Sequence, residues 1–128
     1  MKKMLFKEKY PIYTLEIFKN EIKHKNIDDV IGFLKSKIGA HPVGVFIAIF
    51  DHMAHSKAFN GETVEGMINA RNIIFCIGKN IPSSKVMSLK PRSIGISEFE
   101  DKFEFGMLEV PNEENQATIE SWIKELAK

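Results

Sequence analysis

Hydrophobic and polar residues along the chain change period several times, and each change predicts an element. From Tyr10 to Lys19 the pattern alternates, with Tyr13, Leu15 and Ile17 on one face and Thr14, Glu16 and Phe18 on the other, the two-residue period of a half-buried strand. Beyond the polar stretch Asn20 to Asn26, apolar residues recur at Ile27, Val30, Ile31, Leu34 and Ile38. Spacings of three and four predict an amphipathic helix, with Asn26 or Asp28 as N-cap and Gly39 near its end. His41-Pro42 reinforces the stop, because the residue before proline is pushed out of the helical region. Val43 to Phe50 is continuously apolar and short. That is the pattern of a strand covered on both faces, so it is predicted to be central.

Asp51 to Gly61 is polar and mixed, a predicted connection. Glu62 to Arg71 carries Val64, Met67 and Ile68 at helical spacing, predicting a short second helix interrupted in propensity by Gly66. Asn72 to Ile77 reads as another buried strand ending at Gly78. Lys79 to Pro91, with two prolines and two adjacent serines, reads as a loop with one extended stretch near Val86 to Leu89. Ser93 to Phe99 and Lys102 to Val110 flank Glu100-Asp101 as an antiparallel hairpin in which Phe103, Phe105 and Met107 alternate with Lys102, Glu104 and Gly106. A closing helix has Glu113 and Glu114 in its first turn and an apolar stripe of Ile119, Trp122, Ile123 and Leu126. Helices interleaved with strands early and a hairpin late predict an α+β two-layer sandwich: a mixed sheet of about five strands with two or three helices, in a single domain over residues 1–128.

Composition narrows the classes. The 128 residues carry 18 Lys plus Arg against 17 Asp plus Glu, a net charge of +1, which argues against a strongly basic nucleic-acid binder. The 44% hydrophobic content is that of a globular chain. The single cysteine, Cys76, has no internal disulfide partner, and Met1 to Lys7 lacks the apolar core of a secretory signal. The longest apolar run, Val43 to Phe50, falls short of the roughly 20 residues that cross a bilayer. A cytoplasmic address away from membranes is the expectation.

The layout Ile49-Phe50-Asp51-His52-Met53-Ala54-His55-Ser56-Lys57-Ala58, a short helix, then Ile73-Ile74-Phe75-Cys76-Ile77-Gly78-Lys79-Asn80 resembles the bacterial domain-of-unknown-function family 302. The hairpin and closing helix fit the same layout. Two departures stand out: Gly78-Lys79-Asn80-Ile81-Pro82 replaces that family's usual Gly-Asn-Pro, and Lys90-Pro91-Arg92 replaces its Leu-Pro entry to the hairpin. The resemblance implies a small α+β fold, homodimerisation and no established activity. It supplies no catalytic residues, and only Asp51-His52 matches a family position.

Two constellations could carry chemistry. Asp51, His52 and His55 fall where an apolar strand gives way to a connection, a place where scaffolds present functional groups. Two imidazoles at i and i+3 beside a carboxylate could bind a divalent metal, with His41 or Cys76 completing a tetrahedral set, although the general-base glutamate of the zinc-protease motif is missing. Alternatively Asp51 fixes the tautomer of His52 in a ligand pocket, or simply caps the turn. Arg92, beside Lys90 and Ser93, sits on a rigid turn suited to a carboxylate or phosphate, with Ser83-Ser84-Lys85 as further donors, or is an ordinary solvated turn.

The remaining candidates are structural. Arg71 is expected to satisfy carbonyls at the end of the second helix, His24 to be solvated among lysines, and Cys76 to behave as a small hydrophobe. Phe99, Phe103 and Phe105 are expected to form an apolar dimer patch on the hairpin. No dinucleotide, P-loop, nucleophile-elbow or paired-cysteine motif occurs. The expectation is a non-enzymatic cytosolic homodimer that binds a small anionic or metal-associated ligand through Asp51, His52, His55 and Arg92, with no metal or cofactor assigned. One alternative is an enzyme with His52 as general base oriented by Asp51 and Arg92 as clamp. Another is an interaction module without a ligand.

Overall fold

A computed structural model describes all 128 residues. In chain order the elements are β1 (Lys2–Phe6), β2 (Tyr10–Phe18), α1 (Ile27–Ala40), β3 (Gly44–Asp51), α2 (His52–Ala58), β4 (Asn69–Ile77), β5 (Arg92–Glu98), β6 (Lys102–Leu108) and α3 (Glu113–Lys124), with a 3-10 turn at Ser84–Leu89. The strands form one six-stranded sheet in the order β1-β2-β6-β5-β4-β3. The α+β class predicted from the pattern holds, but the sheet is antiparallel at every pairing rather than mixed. The reason lies in the β2-α1-β3 unit. β2 and β3 do run in the same direction, as a strand-helix-strand crossover requires, yet β6, β5 and β4 are inserted between them and every neighbour alternates in direction.

The sixth strand is β1. It pairs with β2 in the register Lys2↔Thr14 to Phe6↔Tyr10. Its turn places Lys7 and Glu8 at φ 53 and 61, left-handed positions that carry no Gly or Asn to announce them.

Alternation decides which face is dry. Ile17 of β2, Ile73, Phe75 and Ile77 of β4, Ile94 and Ile96 of β5, and Phe103, Phe105 and Met107 of β6 all point to one side, where they meet Val30, Ile31, Leu34 and Ile38 of α1 and Ile119, Trp122 and Ile123 of α3 in a 20-residue core. Full burial of each such side chain contributes about 1.5–3 kcal/mol before entropy is charged against it. Asn26 caps α1, its side chain accepting from the Asp28 N–H, and Asn112 caps α3 by accepting from the Asn115 N–H. The carboxylate of Glu98, nearly buried, is satisfied by Lys19 Nζ and Asn69 Nδ2, each at 2.7 Å.

Several expectations are corrected. Val43–Phe50 does not become a central strand: β3 is the last strand of the sheet, and Val45, Ile47, Ile49 and Phe50 are exposed. An apolar run records how much burial a strand can use, not whether the monomer provides it. The predicted second helix over Glu62–Arg71 does not form. Gly66 sits at φ +86, outside the helical region, and β4 begins at Asn69. The helix lies instead at His52–Ala58, started by Asp51, whose side chain accepts from the Ala54 N–H. Arg71 is therefore on β4 rather than at a helix end. Phe103 and Phe105 are buried to 0% and 1% exposure and Phe99 is half-buried, so the hairpin offers no aromatic patch. The stretch near Val86 to Leu89 is a 3-10 turn, not an extended segment.

Candidate functional site

Three of the four predicted site residues meet at the β3–α2 corner. Asp51 caps α2, and its other oxygen lies 3.6 Å from Arg71 Nε, while Arg71 Nη1 reaches Asp28 at 3.4 Å. The pair Asp51↔Arg71 is also a register pair of β3 and β4, which is why the charges meet. His52 lies 3.3 Å through Nδ1 from Ser56 Oγ one turn on, and its ring is 5.6 Å from that of His55. Phe50 packs against both rings, and Phe59 against that of His55. The Asp51 carboxylate thus serves a helix terminus and an arginine, and makes no hydrogen bond to His52. Beside it His52, Ser56 and Met67 line a shallow depression of about 290 Å³.

The metal reading finds no ligand set: no three His, Cys, Asp or Glu side chains gather where they could hold an ion. His41 accepts the Val43 N–H through Nδ1 and stacks edge-on against Trp122. Cys76 points from β4 to the sheet face opposite the core, in register with Val45.

Arg92 belongs to a different place. It is opposite Phe75 on β4, whereas Asp51 is opposite Arg71. Four residues of strand put them about 13 Å apart along the strand direction alone. Arg92 cannot act on one small molecule together with His52. Instead its Nη groups donate to the main-chain oxygens of Leu89, Leu108 and Glu109 at 3.1, 2.8 and 3.1 Å, clamping the 3-10 turn to the end of β6. Burial lowers the pKa of this guanidinium from its ordinary value, the mark of a cation partly stripped of water.

What gathers around Arg92 was not legible in the sequence. A cavity of about 320 Å³ lies between the end of β4, the 3-10 turn and the start of α3, lined by Lys79, Asn80, Lys90, Arg92, Asn112 and Asn115 with Ile77, Val86 and Val110 as apolar wall. Gly78, at φ +99, turns the chain out of β4. A side chain there would lie 3.7 Å from Asn115 Nδ2 and 3.9 Å from Lys90 Nζ, so both nitrogens converge on the glycine. Lys90 Nζ is held 3.4 Å from the carbonyls of Gly78 and Asn80. No acidic side chain lines the cavity, and neither Lys79, Lys90 nor Arg92 has a carboxylate partner among the ion pairs.

A model of a family of unknown function, DUF6858, matches the chain over residues 1–128. The chain belongs to the DUF6858 family. No curated protein matches it. Among solved structures, the crystal structure of an uncharacterised conserved DUF302 protein from Bacillus stearothermophilus matches with a TM-score of 0.57 at 10% identity, covering 90% of this chain and 91% of that one. At that identity the likeness is one of fold, so the resemblance read from the Asp-His strand end describes architecture. In this DUF6858 chain Lys90-Pro91-Arg92, the departure from that pattern, is the segment that builds the cationic cavity. Part of the signal was present, in Gly78-Lys79-Asn80 at a strand end and Pro111-Asn112 before a helix. Their convergence needed the sheet order.

No helix is long and apolar enough to cross a membrane.

Proposed function

We propose that the protein is a cytoplasmic, non-enzymatic binder of a small anion: a carboxylate or phosphate group carried on a partly apolar molecule, held in the cavity beside Arg92. The observation that carries this is a half-buried guanidinium, with two lysines nearby, in a cavity that contains no acidic side chain. Desolvating a cation without a counter-charge is unfavourable, and an incoming anion offsets that cost. Lys79, Lys90 and Asn115 supply hydrogen-bond donors, the α3 N-terminus adds its dipole, and Ile77, Val86 and Val110 suit an apolar body. Binding is favoured over catalysis because the Arg92 Nη groups already hold main-chain oxygens and the Asp51 carboxylate is occupied by α2 and Arg71.

Isothermal titration with inorganic phosphate, hexanoate and benzoate tests the proposal, with thermal melting as a second readout. Ligand at about ten times Kd stabilises the fold by about 1.4 kcal/mol. Lys90→Met and Lys79→Met should each weaken binding, and added salt should weaken it further. Absence of any response to all three probes, or an unchanged response in both variants, overturns it. A second reading places the ligand in the depression beside His52 and His55, supported by the exposed, mutually stacked imidazoles. Chemical-shift changes centred on those rings rather than on Gly78 and Asn115 would favour it.

A further inference from the structure

We propose that two copies of this chain associate by pairing their β3 strands antiparallel across a two-fold axis, joining two six-stranded sheets into one. The claim concerns the outer edge of β3, which does not line the Arg92 cavity, and does not depend on what that cavity binds.

The two edges of the sheet are built differently. β1 is five residues long and carries Lys2 and Lys3, with Lys7 in its turn. Charged lysines on a short strand are the usual protection against edge-to-edge pairing. β3 is eight residues long and has no charged residue before Asp51 at its end. Its outer backbone groups face no other strand, and its side chains stand in solvent, Val45 at 56% and Ile47 at 50% exposure. On the face of the sheet away from the core, the middle strands are polar along most of their length, with Thr14 and Glu16 on β2, Lys102 and Glu104 on β6, and Ser93 and Ser97 on β5, and expose the apolar Phe18 and Leu108 at their ends. The same face of β3 and β4 carries Val45, Ala48 and Phe50 beside Ile74 and Cys76. Both edges expose apolar side chains, Met4, Leu5 and Phe6 on β1 as well as Val45, Ile47, Ile49 and Phe50 on β3. On β1 they are a three-residue run between Lys2-Lys3 and Lys7, whereas β3 is uncharged from Gly44 to Phe50 and lacks a neighbour on one side.

A second copy is the occupant that the strand itself describes. The pairing with β4 shifts once, between Phe46 and Ala48, making Ile47 the bulged residue. On either side of it Val45 and Phe50 face outward, while Phe46 and Ile49 face the core side, opposite Phe75 and Ile73. An antiparallel pair must place like faces opposite each other. Setting Val45 against Phe50 of the partner subunit and Phe46 against Ile49 of the partner subunit does so on both faces, and brings the two bulges together at the axis. Such a pairing closes: both unguarded edges are consumed, and only the two lysine-bearing β1 edges remain, so the association stops at two copies. The eight uncharged or terminal positions of β3 also bring no like charges into the interface.

Sedimentation velocity across a concentration series tests this on the full chain. The mass should move from 14.6 kDa toward twice that value as concentration rises. Ile47→Lys places a charge in the middle of the edge at a half-exposed position. It should hold the protein monomeric with an unchanged circular dichroism spectrum. Phe6→Lys, a charge on the opposite edge, should leave the dimer intact. A wild-type chain that stays monomeric throughout, a dimer that survives Ile47→Lys, or one equally disrupted by Phe6→Lys overturns the proposal. Should Ile47→Lys fail to fold, hydrogen exchange of the wild type decides: amides of Val45 to Phe50 must gain protection with concentration, and an unchanged rate overturns the pairing.

Discussion

Gly44 stands where the end of α1 meets the start of β3, and replacing it by alanine perturbs that junction without touching either candidate site. An alanine Cβ there would fall 2.5 Å from the Ile38 carbonyl oxygen and 3.0 Å from His41 Cβ. The oxygen is backbone and already accepts the His41 N–H at 3.2 Å, the bond that ends α1. It cannot swing aside as a side-chain tip would, so either the helix end shifts or β3 does. Overpacking of this kind costs about 1–3 kcal/mol. Gly32 is the matched control: it lies inside α1, exposed, with no atom within 4 Å of its added Cβ. Alanine at that position removes the backbone-entropy penalty of a helical glycine and should stabilise by about 0.5–1 kcal/mol. For a chain of this length each kcal/mol moves the melting temperature by about 3–6 °C. Gly44→Ala should therefore melt about 3–18 °C below the wild type and Gly32→Ala about 2–6 °C above it. Differential scanning calorimetry measures both at a protein concentration where each chain sediments as a monomer, which keeps association out of the comparison. A Gly44→Ala protein that melts at or above the wild type would refute the steric reasoning, whatever Gly32→Ala does.

Three further outcomes are expected. Phe105→Ala, at a ring with 1% exposure, should cost about 3–5 kcal/mol and lower the urea midpoint accordingly; a loss below about 1 kcal/mol would mean the core collapses around the gap. Asn112→Ala removes the α3 cap that accepts from the Asn115 N–H at 2.9 Å and should cost about 1 kcal/mol, with Asn112→Asp restoring most of it in the same urea titration. Lys3 holds the Glu109 carboxylate below its ordinary value of 4.5 by a hydrogen bond and by its charge, against partial desolvation. The pair thus contributes above the unfolded pKa and its contribution fades as pH falls through the lowered folded value. In Lys3→Met, carbon-detected NMR should show Glu109 titrating closer to 4.5, and an unmoved midpoint would assign the shift to another cause.

How much of this was legible differs from element to element. β2, α1, the β5–β6 hairpin and α3 were readable because each carries its own period and its own caps, and these act within a few residues: Tyr13, Leu15 and Ile17 on one face, Asn26 before Ile27, Glu113 and Glu114 in a first turn. The helix at His52–Ala58 was misplaced because Asp51 reads equally as a turn residue and as an N-cap, and β1 was missed because Lys7 and Glu8 adopt left-handed turn conformations without Gly or Asn. Of the candidate site, Asp51, His52 and His55 came together because they are neighbours in the chain. Arg92 went elsewhere because four residues of β4 separate its partner from that of Asp51.

The amino-acid sequence by itself determined the periodic elements, the identity of most core faces and the α+β class, since hydrophobic spacing and capping are local physics. Only the tertiary structure decided strand order, and with it the two features that matter most for function. Packing β4 against β5 and closing α3 over the sheet brings Lys79, Lys90, Arg92 and Asn115 around one cavity, though up to 36 positions separate them in the chain. The same order leaves β3, patterned for burial on both faces, at an edge, because a strand's composition records its demand for neighbours while the topology of the whole chain determines whether it gets them.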